Sequence, residues 1–329
     1  MSRVFRWSKR PFVLTITAVV CLLLAPTAEG GELLCDGVVL DADAGVAYAM
    51  SPAGGIDAID LVSGAVHWSS DEAAKPLHLT DGMLIAQGEA TAPGRVELAA
   101  LATESGLRRH GMTVSLPADV WTGVDDRPGR SFRCHLGGGA SRLTASWRES
   151  RAVDTRFAIS APALDETSEP VIASAAVGGS RSGAATLDLV RGTVAPIEAS
   201  RVAASSLSAP VHQFGSYLAG VEGRQRLSAN GGHVLASVRI GDPGDWQKYR
   251  WSIYTAAGDL VGSIAHHTAS APFTVAGSVL VFRDQPYTLV VEGAPVSEPL
   301  KLRGIDLASG AEVWSSPLRD TAYRGPFEP

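Results

Sequence analysis

The sequence predicts an all-β protein assembled from repeated hairpins. Three observations carry that prediction: two matched copies of one motif near opposite ends of the chain, glycine and proline spread along its length, and few stretches with helical periodicity. The 329 residues include 35 Gly and 19 Pro with no collagen-like period. Such a composition suits a fold with many tight turns.

The repeat is the strongest of the three. Residues 54–69 read GGIDAIDLVSGAVHWS and residues 303–315 read RGIDLASGAEVWS. Aligned on Gly64 and Gly310, both carry Ile-Asp-Leu-x-Ser-Gly, and each has a Trp four residues past the Gly, at Trp68 and Trp314. Ile59 and Leu61, like Ile305 and Leu307, flank an aspartate at a strand end. Asp60 and Asp306 open a turn by accepting backbone N–H bonds, and Gly64 and Gly310 supply the left-handed residue that closes it. A second strand then carries the Trp, which makes the unit a β-hairpin.

Weaker copies end at Gly106 (ALATESG), Gly192 (ATLDLVRG) and Gly258 (SIYTAAG). The turn glycines stand 42, 86, 66 and 52 residues apart. Blades of four strands take roughly 40–45 residues, so the gap of 86 implies a degenerate unit around Arg142 to Asp154, and the excess before Gly258 has room for another. The expected architecture is a β-propeller of six or seven four-stranded blades.

Strand patterning agrees: Val46, Tyr48 and Met50 alternate with Ala47 and Ala49, and Trp251 and Ile253 alternate with Arg250 and Ser252. Residues 278–284 form an apolar run bounded by Gly277 and Pro286. Residues 198–208 read as a polar connection between blades.

The N-terminus reads as a secretory signal. Arg3, Arg6, Lys9 and Arg10 precede an apolar run from Pro11 to Ala25, with small residues at Ala28 and Gly30. The expected organisation is a signal peptide at 1–30 and one propeller domain at 31–329, with cleavage near Glu29 or Gly31. An uncleaved membrane anchor is the alternative, because the run approaches spanning length. A lipobox is not matched, since Cys21 follows Val20 and Cys35 follows Leu34. The implied location is periplasmic or secreted. There Cys35 and Cys134 have two open readings, a disulfide or two buried thiols.

The formal net charge of −6 and the lack of a basic block beyond the N-terminus exclude a nucleic-acid partner. The eight histidines show no i,i+4 or x₃₋₅ zinc spacing, and His266 and His267, as neighbours on a strand, are expected to face opposite sides. Asp242 and Asp245 read as a solvated turn. Gly137 to Gly139, beside Cys134 and His135, lack the Gly-Lys-Ser of a phosphate loop. Residues 319–329 are expected to cover a blade edge.

The Ile-Asp-Leu-x-Ser-Gly-x-x-x-Trp unit resembles the pyrroloquinoline-quinone-like β-propeller superfamily, which includes quinoprotein alcohol dehydrogenases and the propeller lipoprotein of the outer-membrane β-barrel assembly machine. Residues 46–68 and 279–314 carry the resemblance. It implies that Trp68 and Trp314 dock between neighbouring blades while Asp60, Gly64, Asp306 and Gly310 fix the hairpins. The family's quinone chemistry, with adjacent cysteines and a calcium site, finds no matching motif here. No catalytic, cofactor-binding or metal residue is therefore expected. The functional expectation is an exported non-enzymatic propeller that binds or scaffolds an envelope protein, with a quinone-dependent oxidoreductase as the alternative.

Overall fold

The computed structural model describes residues 32–89, 92–125, 127, 129–139, 142–151, 179–197, 214–241, 248–291 and 294–319. The expected signal peptide at 1–30, the expected connection at 198–208, Asp242, Asp245 and residues 320–329 lie outside them. Among the described residues all regular structure is β, in five antiparallel sheets of four or five strands and one separate hairpin.

The first sheet holds β1–β5 (Glu32–Cys35, Val38–Asp41, Val46–Met50, Ile56–Asp60, Val66–Ser70). The second holds β6–β9 (Lys75–Thr80, Met83–Gln87, Arg95–Ala102, Arg108–Ser115), and the third β10–β13 (Arg130–Gly139, Arg142–Arg151, Ser180–Asp188, Thr193–Ile197). The fourth holds β14–β18 (Phe214–Gly215, Arg224–Leu227, His233–Ile240, Lys248–Thr255, Leu260–His266). The fifth is β19, β20, β23 and β24 (Phe273–Ala276, Val279–Asp284, Lys301–Asp306, Glu312–Pro317), with the hairpin β21–β22 (Tyr287–Val291, Ala294–Glu298) inserted between its second and third strands. Each sheet is a meander in sequence order.

The five turn glycines of the repeat each close the last hairpin of one sheet, all at positive φ. Asp60 Oδ1 accepts from Val62 N–H, Ser63 N–H and Ser63 Oγ–H, and Asp306 Oδ1 accepts from Ser309 N–H and Ser309 Oγ–H. The degenerate unit expected around Arg142 to Asp154 is corrected. Arg142–Arg151 is the second strand of the third sheet, whose hairpin glycine is Gly192. The long gap arises because residues 152–178 intervene within that one sheet, between its second and third strands.

The sheets are buried on both faces, and side-chain alternation sends each face to a different neighbour. In β3, Val46 and Tyr48 join a core with the second sheet, while Ala47 and Ala49 join a core with the fifth. In β8, Ala99 and Leu101 face the first sheet, and Val96, Leu98 and Ala100 face the third. In β20, Leu280 and Phe282 pack on the fourth sheet, and Val279 and Val281 on the first. Four cores thus link the sheets in the order fourth, fifth, first, second, third.

Two tryptophans stitch this array. Trp314 of the fifth sheet donates its indole N–H to Leu61 O of the first, and its ring lies on Gly64, where an added Cβ would meet Trp314 Cγ at 2.4 Å. Trp68 of the first sheet does the same to the second. It donates to Thr103 O at 2.8 Å, and its ring lies 2.5 Å from where a Cβ of Gly106 would stand. Each glycine thus serves twice, closing its own turn and seating the indole of the preceding sheet. Trp314 is buried; Trp68 is half-buried.

Candidate functional site

Among the described residues the indole stitch joins only the fifth sheet to the first and the first to the second; four residues past Gly106, Gly192 and Gly258 stand His110, Pro196 and Gly262. Four residues past the turn glycine of the fourth sheet, where the repeat places its Trp, stands Gly262. Its backbone runs close against the fifth sheet, and an added Cβ would stand 2.5 Å from Leu307 O. With no indole delivered there, the seat on the fifth sheet is empty, and nothing lies within 4 Å of a Cβ built on Gly310. A cleft of about 320 Å³ results, lined by Ser263, Ile264, His266, Arg303, Gly310 and Glu312 among others. That volume is at the small end of ligand-sized pockets.

His266 connects the cleft to a buried cluster. Its Nε2 is 3.5 Å from Asp284 Oδ1, and His267 Nε2 is 3.7 Å from the same oxygen. The His266 and Asp284 side chains are almost fully enclosed, and His267 is about one-fifth exposed. The imidazoles lie against each other with centroids 4.2 Å apart, between Trp251 at 4.3 Å and Tyr287 at 4.1 Å. The expectation that the two histidines face opposite sides is corrected here. β18 ends at His266 and the chain bends at His267, so strand alternation does not extend across the pair.

Arg303 on β23 holds the carboxylate from the other side. Its Nη1 donates to Asp284 Oδ2 at 3.0 Å, while Nε donates to Glu312 Oε2 at 2.8 Å. Burial alone would raise the Asp284 pKa, but the His266 ring beside it and the Arg303 guanidinium outweigh that and hold it below the usual carboxylate range. Burial, helped by the neighbouring His266, pushes the His267 pKa down, so the ring favours its neutral form.

A second polar cluster lies where the first strands of adjacent sheets meet. The enclosed Lys75 ammonium is 2.6 Å from Asp36 Oδ1, and Arg133 Nε is 3.2 Å from Asp36 Oδ2. The single carboxylate in the β1–β2 turn thereby ties the second sheet to the third. Cys35 and Cys134 are both free and buried, and burial pushes both thiols up to about 12. Cys134 points into the core while His135, the next residue of β10, is half-buried on the other face. Gly137, Gly138 and Gly139 complete the β10–β11 ladder opposite Thr144, Leu143 and Arg142.

Asp60, Gly64, Trp68, Asp306, Gly310 and Trp314 therefore sit at the last hairpins and the sheet seams, and of the six only Gly310 borders the cleft. Spacing rules missed His266, His267 and Asp284 because 17 residues and a strand reversal separate the pair from the carboxylate.

No family model matches the sequence, and no curated protein matches it. Among solved structures it is similar to BamB from Moraxella catarrhalis, at 12% identity over 87% of this chain and 64% of that one, with a TM-score of 0.25. The chain thus spans less than two thirds of the BamB chain. It is also similar to the β-propeller domain of Cps50 (Swd1) from Myceliophteria thermophila, at 12% identity over 85% of each chain and a TM-score of 0.28. An uncharacterized protein from Listeria monocytogenes matches at 9% identity over 91% of this chain and 87% of that one, with a TM-score of 0.26.

Proposed function

We propose that the chain is an exported, non-enzymatic β-propeller that binds a protein partner in the cell envelope. In this reading the five described sheets are blades of a propeller of six or seven. One observation carries the binding role. At the last hairpin of every sheet an aliphatic side chain stands in solvent: Val66, Leu107, Val190, Leu260 and Val313, at 50, 66, 78, 60 and 50% exposure. Isolated exposed apolar residues are ordinary, but one at the last hairpin of each of five successive sheets, within three residues of its turn glycine, supports a reading as a surface for an apolar partner.

The test has two parts. Mass spectrometry of the protein from the envelope fraction is expected to find a mature N-terminus near Glu29 or Gly31; a chain retaining Met1 to Arg10 supports the anchored form instead. Crosslinking in intact cells is then compared between the wild type and a Val66→Ser, Leu107→Ser, Val313→Ser variant with an unchanged melting temperature. A specific adduct that disappears in the variant supports the surface. An adduct that persists unchanged counts against it.

A further inference from the structure

The geometry points to His266, His267 and Asp284 as a binding site for one divalent transition-metal ion, of the zinc class, at the seam between the fourth and fifth sheets. The inference does not depend on the proposed binding surface.

The donor spacing is the first ground. A tetrahedral ion with N and O ligands at about 2.0–2.2 Å holds its ligand atoms roughly 3.3–3.6 Å apart. The two nitrogens stand 3.5 and 3.7 Å from the shared Asp284 oxygen, and all three donor atoms lie within 4.8 Å of one another. Those separations are long for hydrogen bonds; the first falls within the ligand–ligand edge range and the second lies just beyond it. Two imidazoles and one carboxylate form a donor set that suits zinc and its first-row neighbours rather than calcium or magnesium.

The second ground is the surroundings of the donors. His266 Nε2 and Asp284 Oδ1 are buried polar atoms with no hydrogen-bond partner, and they stand 3.5 Å apart. The remaining atoms of the same groups are held in place. Arg303 takes Asp284 Oδ2, which leaves Oδ1 turned inward, and Glu312 fixes Arg303 in turn. His266 Nδ1 is 2.9 Å from Thr268 Oγ1 and accepts from Thr268 N–H at 3.1 Å, so the ring plane is set by its far nitrogen. Such outer partners orient ligands in metal sites.

The cleft beside Gly310 has His266 and Arg303 in its wall, so one proposed ligand and the arginine that holds Asp284 border it.

The test uses the purified full chain, stripped by dialysis against a chelator and titrated with Zn²⁺ against a chromophoric zinc indicator. One equivalent is expected to bind at micromolar concentration or tighter and to raise the melting temperature, because the ion binds only the folded state. His267→Ala and Asp284→Asn are each expected to weaken binding at least tenfold, while the exposed His110→Ala leaves it unchanged. Should Asp284→Asn fail to fold, His267→Ala, at the most exposed ligand, and the visible spectrum of wild-type protein loaded with Co²⁺ carry the test. Bands of tetrahedral nitrogen and oxygen ligation are the expected result. A folded wild type that takes up no ion, or stoichiometric binding that survives His267→Ala, overturns the site and leaves the trio as a buried ion-pair cluster.

Discussion

Trp314 donates its indole N–H to the carbonyl of Leu61, 3.2 Å away and 253 residues earlier in the chain. The bond joins the fifth sheet to the first, and a matching bond from Trp68 to Thr103 joins the first to the second. Trp314→Ala is expected to cost about 3–5 kcal/mol, through lost transfer energy and the cavity left behind. Trp68→Ala costs less, about 1.5–3 kcal/mol, since part of its ring already meets water. Urea unfolding of both variants measures the difference; a loss under about 1 kcal/mol at Trp314 contradicts its place in the seam.

The turn glycines are expected to differ although their backbones match. Gly64 and Gly310 share a φ of 71°, so alanine at either costs about 1–2 kcal/mol in backbone strain. Gly64→Ala also drives a methyl into the Trp314 ring, adding about 1–3 kcal/mol, whereas Gly310→Ala projects into open space. Melting curves of the two variants should separate clearly, and equal losses would show that the indole is not seated on Gly64.

Acid sensitivity should centre on Glu149, a buried carboxylate on β11 contacted by Arg130, Arg151 and Arg181. Burial alone would raise its pKa, but hydrogen bonds from Arg181, Trp121 N–H and Arg151 prevail and lower it. A lowered folded value means the stabilisation is fully present above the unfolded pKa of about 4.3 and is lost as pH falls through the folded value. Unfolding free energies measured between pH 7 and 3 should fall in the acid range, less steeply in Glu149→Gln. Identical pH profiles would remove Glu149 from that role.

Cys35 and Cys134 should be inert in the native state. Their thiols, pushed up to about 12 by burial, carry almost no thiolate at pH 8, and both side chains are enclosed. Alkylation followed by peptide mass spectrometry is expected to leave both unmodified until denaturant is added. Rapid native labelling of either would show that its sheet seam opens readily.

Much of the hairpin framework was legible in the sequence. The Asp-to-Gly turn and the Trp spacing are local chemistry, written within ten residues, and even the faint copies at Gly106, Gly192 and Gly258 fall on last hairpins. The boundaries between units were harder to read, because spacing alone does not distinguish a drifted repeat at Arg142 from residues carried within one sheet. His266, His267 and Asp284 were illegible for a different reason. Their proximity depends on a strand ending at His266 and on β20 lying alongside, and no periodicity in the chain encodes that pairing. The substitution at Gly262 was visible but acquires meaning only once the indoles of Trp68 and Trp314 are seen seated on glycines.

The indole-on-glycine contact has a direction: the fifth and first sheets each offer a plug, Trp314 and Trp68, to a socket on the next sheet, Gly64 and Gly106. Plugs and sockets of this kind are indifferent to whether they belong to one molecule or two, and head-to-tail contacts grow into filaments when they fail to close on themselves. A chain cut between Ser70 and Lys75 would separate a socket at Gly106 from its plug, and one lacking the first sheet altogether would carry Trp314 with nowhere to put it. Such fragments should pair with one another, and purification of the protein is best monitored for chains that join end to end through the Trp314–Gly64 clasp.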